Sequence, residues 1–481
     1  MELRREAFDK LRAEDGDALY ALVQALLGQV ATLTAQVQEL AARVGQHRQN
    51  SHRPPSSDAR PVPPRGQRTA TGKRPGGQPG HRGHTLAMDA APDAVVAHHP
   101  HACGHCGADL AAVAPRSVER RQVVDLPPLA LLVTEHRAAT VCCPHCQQTS
   151  SAPFPADVQP GVQYGPRVLG LGLYLRHDQL LPYLRIQETL TDLFGAGPGV
   201  GTVHTAGLRA ARALLPVEVA LKAALAAAEV LHADETGIRV LGQGAWVHVA
   251  STARLTHYAW HAKRGRAATD AIGILPRFRG WLIHDAWAPS WHAACRHGLC
   301  NAHLLRDLAA VADQPGQRWA AALQTLLRAL YRAVAAGRAA GLTAPPPARL
   351  ATFVRRYHRL LVLGEAANPP PQRQAGGPTR GRRKQRKARN LLDRLRTHAD
   401  AVLAFLHEWT VPFDNHQAER DLRMINAQQK VSGTFRDPAS ADAFCRLRSS
   451  IATLRKQGQA LLTALTLTLR GQPPLPALAP E

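Results

Sequence analysis

Apolar residues recur near the start of the chain at Leu19, Val23, Leu26, Val30, Leu33, Val37, Leu40 and Val44, in alternating steps of four and three. That spacing is the seam of a left-handed coiled coil and predicts one helix over residues 17–46 that pairs with a second copy. The competing reading is an amphipathic helix docked on the chain's own core. The periodicity then stops. Residues 47–84 carry Lys or Arg at 48, 53, 60, 65, 68, 73, 74 and 82, with Asp58 the only acid among many Pro, Gly and Ser. No core forms from such a segment. It is a basic arm, either a solvated linker or a strand of charge that lies along phosphates.

Further on the period changes twice. From Tyr164 to about Leu215 it is helical, and QETLTDLFGAGPGVGTVHTAGLRAARAL reads as helix, Gly-rich turn, helix, which suits either a DNA-reading helix-turn-helix or plain packing. Over 228–287 it becomes that of strands. EVLHADET, AWVHVAST and LTHYAWHA are three short β-rich runs, followed by a helical TDAIGILPRF and a fourth run, GWLIHDAW. Three strands, a helix and a fourth strand begin a ribonuclease-H-like α/β fold. LHADETGIRV in particular reads as a strand that ends in acid. Residues 291–365 are predicted helical, as is 389–409, and VPFDNHQAERDLRMINAQQKVSGTF opens another helix.

The predicted organisation is therefore a coiled coil (1–46), a basic linker (47–90), a zinc-binding domain (91–155) and a helical region with a candidate helix-turn-helix (156–225). A catalytic core follows in two parts (226–310 and 401–460), split by a helical and basic insertion (311–400), and a tail closes the chain (461–481).

Charge narrows the class of partner. Among 481 residues, 59 Lys and Arg face 36 Asp and Glu, a formal net charge of +23. Such a chain seeks a polyanion, and nucleic acid comes first. A genome rich in Arg and Ala codons is the alternative cause, against which stands the clustering of the charge. The second basic run, Arg373, Arg380, Arg382, Arg383, Lys384, Arg386, Lys387 and Arg389, contains no acid. It is a solvated block or a DNA-contacting insertion. The start, MELRREAFDK, lacks the apolar centre of a signal peptide, and the most apolar long stretch is interrupted by Glu218, Lys222 and Glu229. A cytoplasmic protein with no membrane span is expected.

Two features carry chemistry. The first is a pair of knuckles, Cys103-Gly-His-Cys106 and Cys143-Pro-His-Cys146, with about 36 residues between them. Thiolates so spaced chelate tetrahedral Zn²⁺, and Cys142, His105 and His145 are substitutes for a place in its coordination. Cys300 and His303 have the spacing of half a second site, but no matching pair follows, and a helix packed by its Leu residues is the stronger reading. The second feature is a set of acids on separate elements. These are Asp234 and Glu235 in LHADETGIRV, Asp285 in GWLIHDAW, and Asp414, Glu419 and Asp421 in PFDNHQAERDLR. Any one of them is ordinary as a cap or a turn. Together they suit hard divalent cations, and a two-metal phosphoryl-transfer site needs carboxylates from separate elements.

These motifs, with NSHRPPSSD, GGQPGHRGHT, HADETGIRV, WVHVAST, the Cys-x-x-His of LCNAHLLRDL and DNHQAERDLRMINAQQKVSGTFR in that order, resemble the transposases of the insertion sequence 66 family over nearly the whole chain. The resemblance implies an Asp-Asp-Glu triad on a ribonuclease-H-like core, at Asp234, Asp285 and Glu419, holding Mg²⁺ or Mn²⁺. Relatives tend to carry an Asp-Gly-Tyr type sequence where this chain has Asp285-Ala286-Trp287. It further implies cleavage at the ends of a mobile element and attack of the freed 3′-hydroxyl on target DNA, with helper proteins of the same element as further partners. Asp234 would bridge the two ions. Arg420, Arg423 and Lys430, which follow Glu419, hold phosphate or are plain surface charges; Arg382, Arg383, Lys384, Arg386 and Lys387 are the insertion's DNA contacts. Hydrolysis without strand transfer, or DNA binding by an inactive core, are the alternatives.

Overall fold

The computed structural model describes residue 13 and residues 16–44, 80, 81, 83, 85–370 and 386–478. The basic positions of the arm, Arg48 to Arg82, and the second run from Arg373 to Lys384 lie outside the described residues. Helix α1 spans Gly16–Val44. Val23, Leu26, Val30, Leu33 and Val37 along its seam are exposed, so these residues are not docked on the described part of the chain. No helix among the described residues is long and apolar enough to cross a membrane.

The segment that carries the knuckles is held by very little. Strands β1 (Thr140–Cys142) and β2 (Thr149–Ser151) pair antiparallel around the second knuckle, and an isolated bridge between Ala102 and Asp109 flanks the first. Among the described residues from 85 to 163, none is buried.

Helices α2 (Pro166–His177), α3 (Tyr183–Phe194), α4 (Val200–Ala213) and α5 (Leu215–Ala226) precede the sheet. Its strands are β3 (Val230–Val240), β4 (Gln243–Ser251), β5 (Thr256–His261), β6 (Trp281–His284) and β7 (Arg296–Leu299), with α6 (Arg266–Ile272) crossing over before β6. The spatial order is β5-β4-β3-β6-β7; β3, β4 and β5 run as an antiparallel meander, whereas β3–β6 and β6–β7 are parallel. Val240 pairs with Gln243 across a two-residue turn in which Leu241 and Gly242 both have positive φ, 53° and 74°. That is the primed turn whose twist suits a tight hairpin. At the start of β6 the backbone comes so close that a Cβ on Gly280 would run into the carbonyl oxygens of Glu229 and Ala228.

Three sequence expectations need correction. The strand LHADETGIRV does not end in acid: it runs to Val240, with Asp234 in its middle, because β4 pairs with its whole second half. The interval 291–365 is not wholly helical, since Ala288–His292 is a 3-10 turn and Arg296–Leu299 a strand. Its four residues lack alternation, and they are a strand because β6 offers them a parallel partner. The helix expected at 389–409 is three short ones, α10 (Lys387–Thr397), α11 (Ala399–Val402) and α12 (Ala404–His407), which break where the chain packs under β7.

Four cores hold the layers. α7 (Asn301–Ala312), α8 (Arg318–Ala339) and α9 (Pro347–Ala367) join α10–α12 in one apolar cluster that reaches Ile283 and Leu299 of the sheet. Helices α13 (His416–Ser432) and α14 (Pro438–Lys456) return to cover β3–β5 through Leu422, Ile425 and Phe444. The candidate helix-turn-helix, α3 and α4, packs with α2, α14 and α15 (Leu461–Leu469) around Leu173, Ile186 and Leu447. α5 closes the fourth cluster against Leu231 and Leu282. Edge strand β5 is completed by side chains of α14. Thr453 Oγ1 accepts from Thr256 N at 3.0 Å and donates to Thr256 O at 3.1 Å, and Ser449 Oγ accepts from Tyr258 N at 2.8 Å. The exposed hydrogen-bonding row of an edge is thereby capped. The inserted helices leave and re-enter the core at one point, where Asn301 N donates to Phe413 O at 3.0 Å.

Candidate catalytic site

Two of the three expected acids share one cleft. Asp234 sits mid-strand on β3 and Asp285 directly after β6, its parallel neighbour. Both line a cavity with Ala233, Glu235, His248 and Trp287. The Asp285 carboxylate accepts from Trp287 N at 3.0 Å, which folds the chain back after the strand. This turn puts Ala286 at φ 71°, in the left-handed region that glycine adopts without strain.

Glu419 approaches from the first turn of α13. Its Oε1 is buried without a hydrogen bond, 3.6 Å from His303 Nδ1 and 3.7 Å from Arg306 on α7. Asp234 registers all three acids. Burial pushes its carboxyl up to about 8, aided by the charges of Glu235, Asp285 and Glu419, against one hydrogen bond from Glu235 N. Carboxylates crowded like this, without a cation among them, favour the proton over the charge.

The neighbouring acids are each matched by a base or a cap. Glu235 accepts from Arg264 Nε at 2.9 Å and Nη2 at 2.6 Å, and that guanidinium is stacked between the rings of Trp246 and Trp287. Burial raises Glu235 even so. Asp421 meets Lys456 Nζ at 2.9 Å, Gln417 at 3.1 Å and the Thr256 hydroxyl at 3.3 Å. Asp414 is opposed by burial, but His416, at 3.1 Å through both ring and backbone N–H, holds it below the usual range. Asp234 and Asp285 have no such partner among the described ion pairs. All three acids carry the oxygen donors that hard divalent ions take, but among the described residues the oxygens of Asp234, Asp285 and Glu419 are not gathered into one cluster.

Sequence reasoning missed what places Glu419. Asn415, at the N-cap of α13, is 1% exposed and ties three elements together. Its Nδ2 donates to Ala233 O at 2.8 Å, its Oδ1 meets His232 Nδ1 at 2.9 Å, and its backbone N–H donates to Cys300 Sγ at 3.2 Å. Cys300 itself caps α7, and burial pushes its thiol up to about 12. The sequence reading took Cys300 and His303 for a packed helix start without a metal partner. In the fold their partner is Glu419, and the three ligand atoms lie within 4.8 Å of one another.

The zinc knuckles are alike in detail. Cys103 N donates to Ala108 O and Gly107 N to Cys103 O, and the same ring recurs as Cys143 N to Gln148 O and Gln147 N to Cys143 O, at 2.8 and 2.9 Å in both. Gly107 and Gln147 share a positive φ. Backbone N–H groups of Cys106 and His105 lower the Cys103 thiol, and those of Cys146 and His145 lower Cys143, as suits thiolate ligands. Among the described residues, however, the four sulfurs are not gathered into one cluster. Of the expected DNA contacts, Arg386, Lys387, Arg420, Arg423 and Lys430 are exposed on the surface.

A five-stranded mixed sheet with half-buried acids on β3, after β6 and on a covering helix is compatible with a ribonuclease-H-like transposase domain. The model of the Transposase IS66 family matches residues 161–443, more than half of the chain, and the chain belongs to that family. Residues 8–87 match a family of unknown function, DUF6444. Comparison with curated proteins gives no match. The family supports a transposase role and with it DNA as partner; both knuckles lie outside the two matched segments.

Proposed function

We propose that this protein is the DNA transposase of an insertion sequence, cutting at the element's ends and joining the freed 3′-hydroxyl to target DNA. The observation that carries the reading is the cleft shared by Asp234 on β3 and Asp285 after the neighbouring strand β6, two acids without a basic partner among the described ion pairs, with Glu419 approaching from α13. Asp234, as the central ligand, with Asp285 and Glu419 would hold Mg²⁺ or Mn²⁺, which when bound would stabilise the attacking and the departing oxygen of an in-line displacement. The rigid strand pair β3–β6 fixes the first two, while Asn415 holds the third. Close hydrogen-bonded pairing of Glu235 with Arg264 and of Asp421 with Lys456 supports leaving these two out of the triad, whereas Glu419 meets His303 and Arg306 only at 3.6 and 3.7 Å.

The remaining parts serve DNA. The knuckle segment has no buried side chain to order it, so one Zn²⁺ on Cys103, Cys106, Cys143 and Cys146 supplies its fold, as in small metal-dependent domains. Arg382, Arg383, Lys384, Arg386 and Lys387 contact phosphates from the insertion, with Arg420, Arg423 and Lys430 beside the site. The exposed seam of α1 pairs two copies, so that both element ends are held at once in the cytoplasm, with or without helper proteins.

The test is a supercoiled plasmid carrying the element ends, incubated with the protein and Mg²⁺ and mapped for nicks that leave 3′-hydroxyls at the ends. Alanine at Asp234, Asp285 or Glu419 should abolish nicking and joining while end binding survives, and Ca²⁺ should support binding without turnover. Activity retained in all three variants would place the chemistry elsewhere.

A further inference from the structure

Glu419 has a second set of neighbours that the phosphoryl-transfer reading does not use. Its Oε1, buried and without a hydrogen bond, points at His303, one helical turn after Cys300 on α7. The Cys300 sulfur, an imidazole nitrogen and a Glu419 oxygen all lie within 4.8 Å of one another. The 3.6 Å between His303 Nδ1 and Glu419 Oε1 is close to the edge of a zinc tetrahedron, about 3.4 Å for bonds of roughly 2.0–2.3 Å. The donors are sulfur, nitrogen and oxygen. Mg²⁺ makes no use of a thiolate, whereas a softer ion of the zinc class takes all three.

We propose that Cys300, His303 and Glu419 bind one divalent ion of the zinc class, and that this ion, once bound, withdraws Glu419 from Asp234 and Asp285. The surroundings are those of a prepared ligand set. Cys300 is fixed at the N-terminus of α7, and its sulfur receives the Asn415 N–H at 3.2 Å. Hydrogen bonds of this kind from outside the coordination shell orient a ligand and tune it. Arg306, 3.7 Å from Glu419 Oε1 and part-exposed, is the one cation that competes for that carboxylate among the described residues. Three protein ligands leave the fourth position of the tetrahedron open. On this proposal Glu419 turns to one ion at a time, so zinc and the catalytic metal exclude each other. This second half of the proposal rests on the triad; the metal site itself does not.

The binding half is read without DNA. The full chain, stripped by chelation, is titrated with Co²⁺ and followed by its thiolate-to-cobalt absorption. Cys300→Ser, in which serine still caps α7, and His303→Ala should each bind one equivalent less than wild type, with unchanged melting. Glu419→Gln should weaken that equivalent about tenfold or more, within the range for losing one ligand contact. Identical stoichiometry and spectra in wild type and Cys300→Ser would overturn the site. In the second arm, Zn²⁺ is titrated into Mg²⁺-driven plasmid nicking, and the half-inhibiting concentration should rise at least tenfold in Cys300→Ser. Equal inhibition of both proteins would overturn the withdrawal of Glu419. A wild-type chain that takes up the extra cobalt but never nicks DNA would instead count against the transposition chemistry and leave the metal site standing.

Discussion

Asn415 donates its side-chain N–H to the carbonyl oxygen of Ala233, 2.8 Å away and one residue before Asp234. The helix that carries Glu419 is thus keyed to the strand that carries Asp234, across 182 residues of sequence. Asn415→Ala removes this link and leaves a buried carbonyl without its donor, at a cost of about 1–3 kcal/mol. Misplacing Glu419 by an ångström should lower nicking by about 100-fold while end binding stays as in wild type. Single-turnover nicking and a gel-shift on the same preparation check both.

The charge state of Asp234 makes a pH prediction. With its carboxyl pushed up to about 8, the folded chain keeps a proton that the unfolded chain has released above the ordinary carboxylate range. The group therefore stabilises the fold most at low pH, and this contribution is lost as the pH rises through 8. Asp234→Asn mimics the neutral acid. In metal-free protein it should add about 1–3 kcal/mol at pH 8 and about nothing at pH 4. Urea unfolding at the two pH values measures it, and an equal effect at both would contradict the proton assigned to Asp234.

Ala286→Gly should stabilise the protein. Relief of the left-handed strain gains about 1–2 kcal/mol, and the greater freedom of unfolded glycine offsets part of it, leaving about 0.5–1 kcal/mol. A melting point below wild type would mean that the Asp285 turn does not hold residue 286 at positive φ.

Thr453→Val keeps the shape of the side chain and deletes its hydroxyl. Thr256 N, which has only that hydroxyl to donate to, is left buried and unpaired, and the fold should lose about 1–3 kcal/mol. Thr453→Ser, which retains the bond, is the control, and hydrogen exchange at the Thr256 amide locates the loss.

Removal of residues 1–46 should reduce the oligomer by sedimentation, because Val23, Leu26, Val30, Leu33 and Val37 of α1 are exposed among the described residues and a second copy would cover them. An unchanged mass would assign self-association to another surface.

The meander and its crossover were legible because period-two runs and Gly-marked turns are local signals. The hairpin at Leu241–Gly242 needs nothing beyond its own residues. Strand β7 was not legible. Arg296–Leu299 has no pattern of its own and becomes a strand only beside β6. The extension of β3 past Asp234 was hidden for the same reason, since Gly237 is a poor strand former that β4 holds in register against Trp246. At the site, the acids could be found as residue types at the ends of apolar runs. Their ranking could not, because what demotes Glu235 and Asp421 is Arg264 and Lys456, which sequence alone does not place beside them. Likewise Cys300 and His303 had a spacing without a partner, and only the fold brings Glu419 to them.

The single hydrogen bond from Asn301 N to Phe413 O gives the inserted helices the character of a cassette in a fixed socket. Everything between these residues departs from, and comes back to, one doorway between Cys300 and Asn415, the two residues that locate the third acid. A change in the length or charge of the cassette would therefore leave the strand pair β3–β6 and the Asn415 anchor of α13 in place.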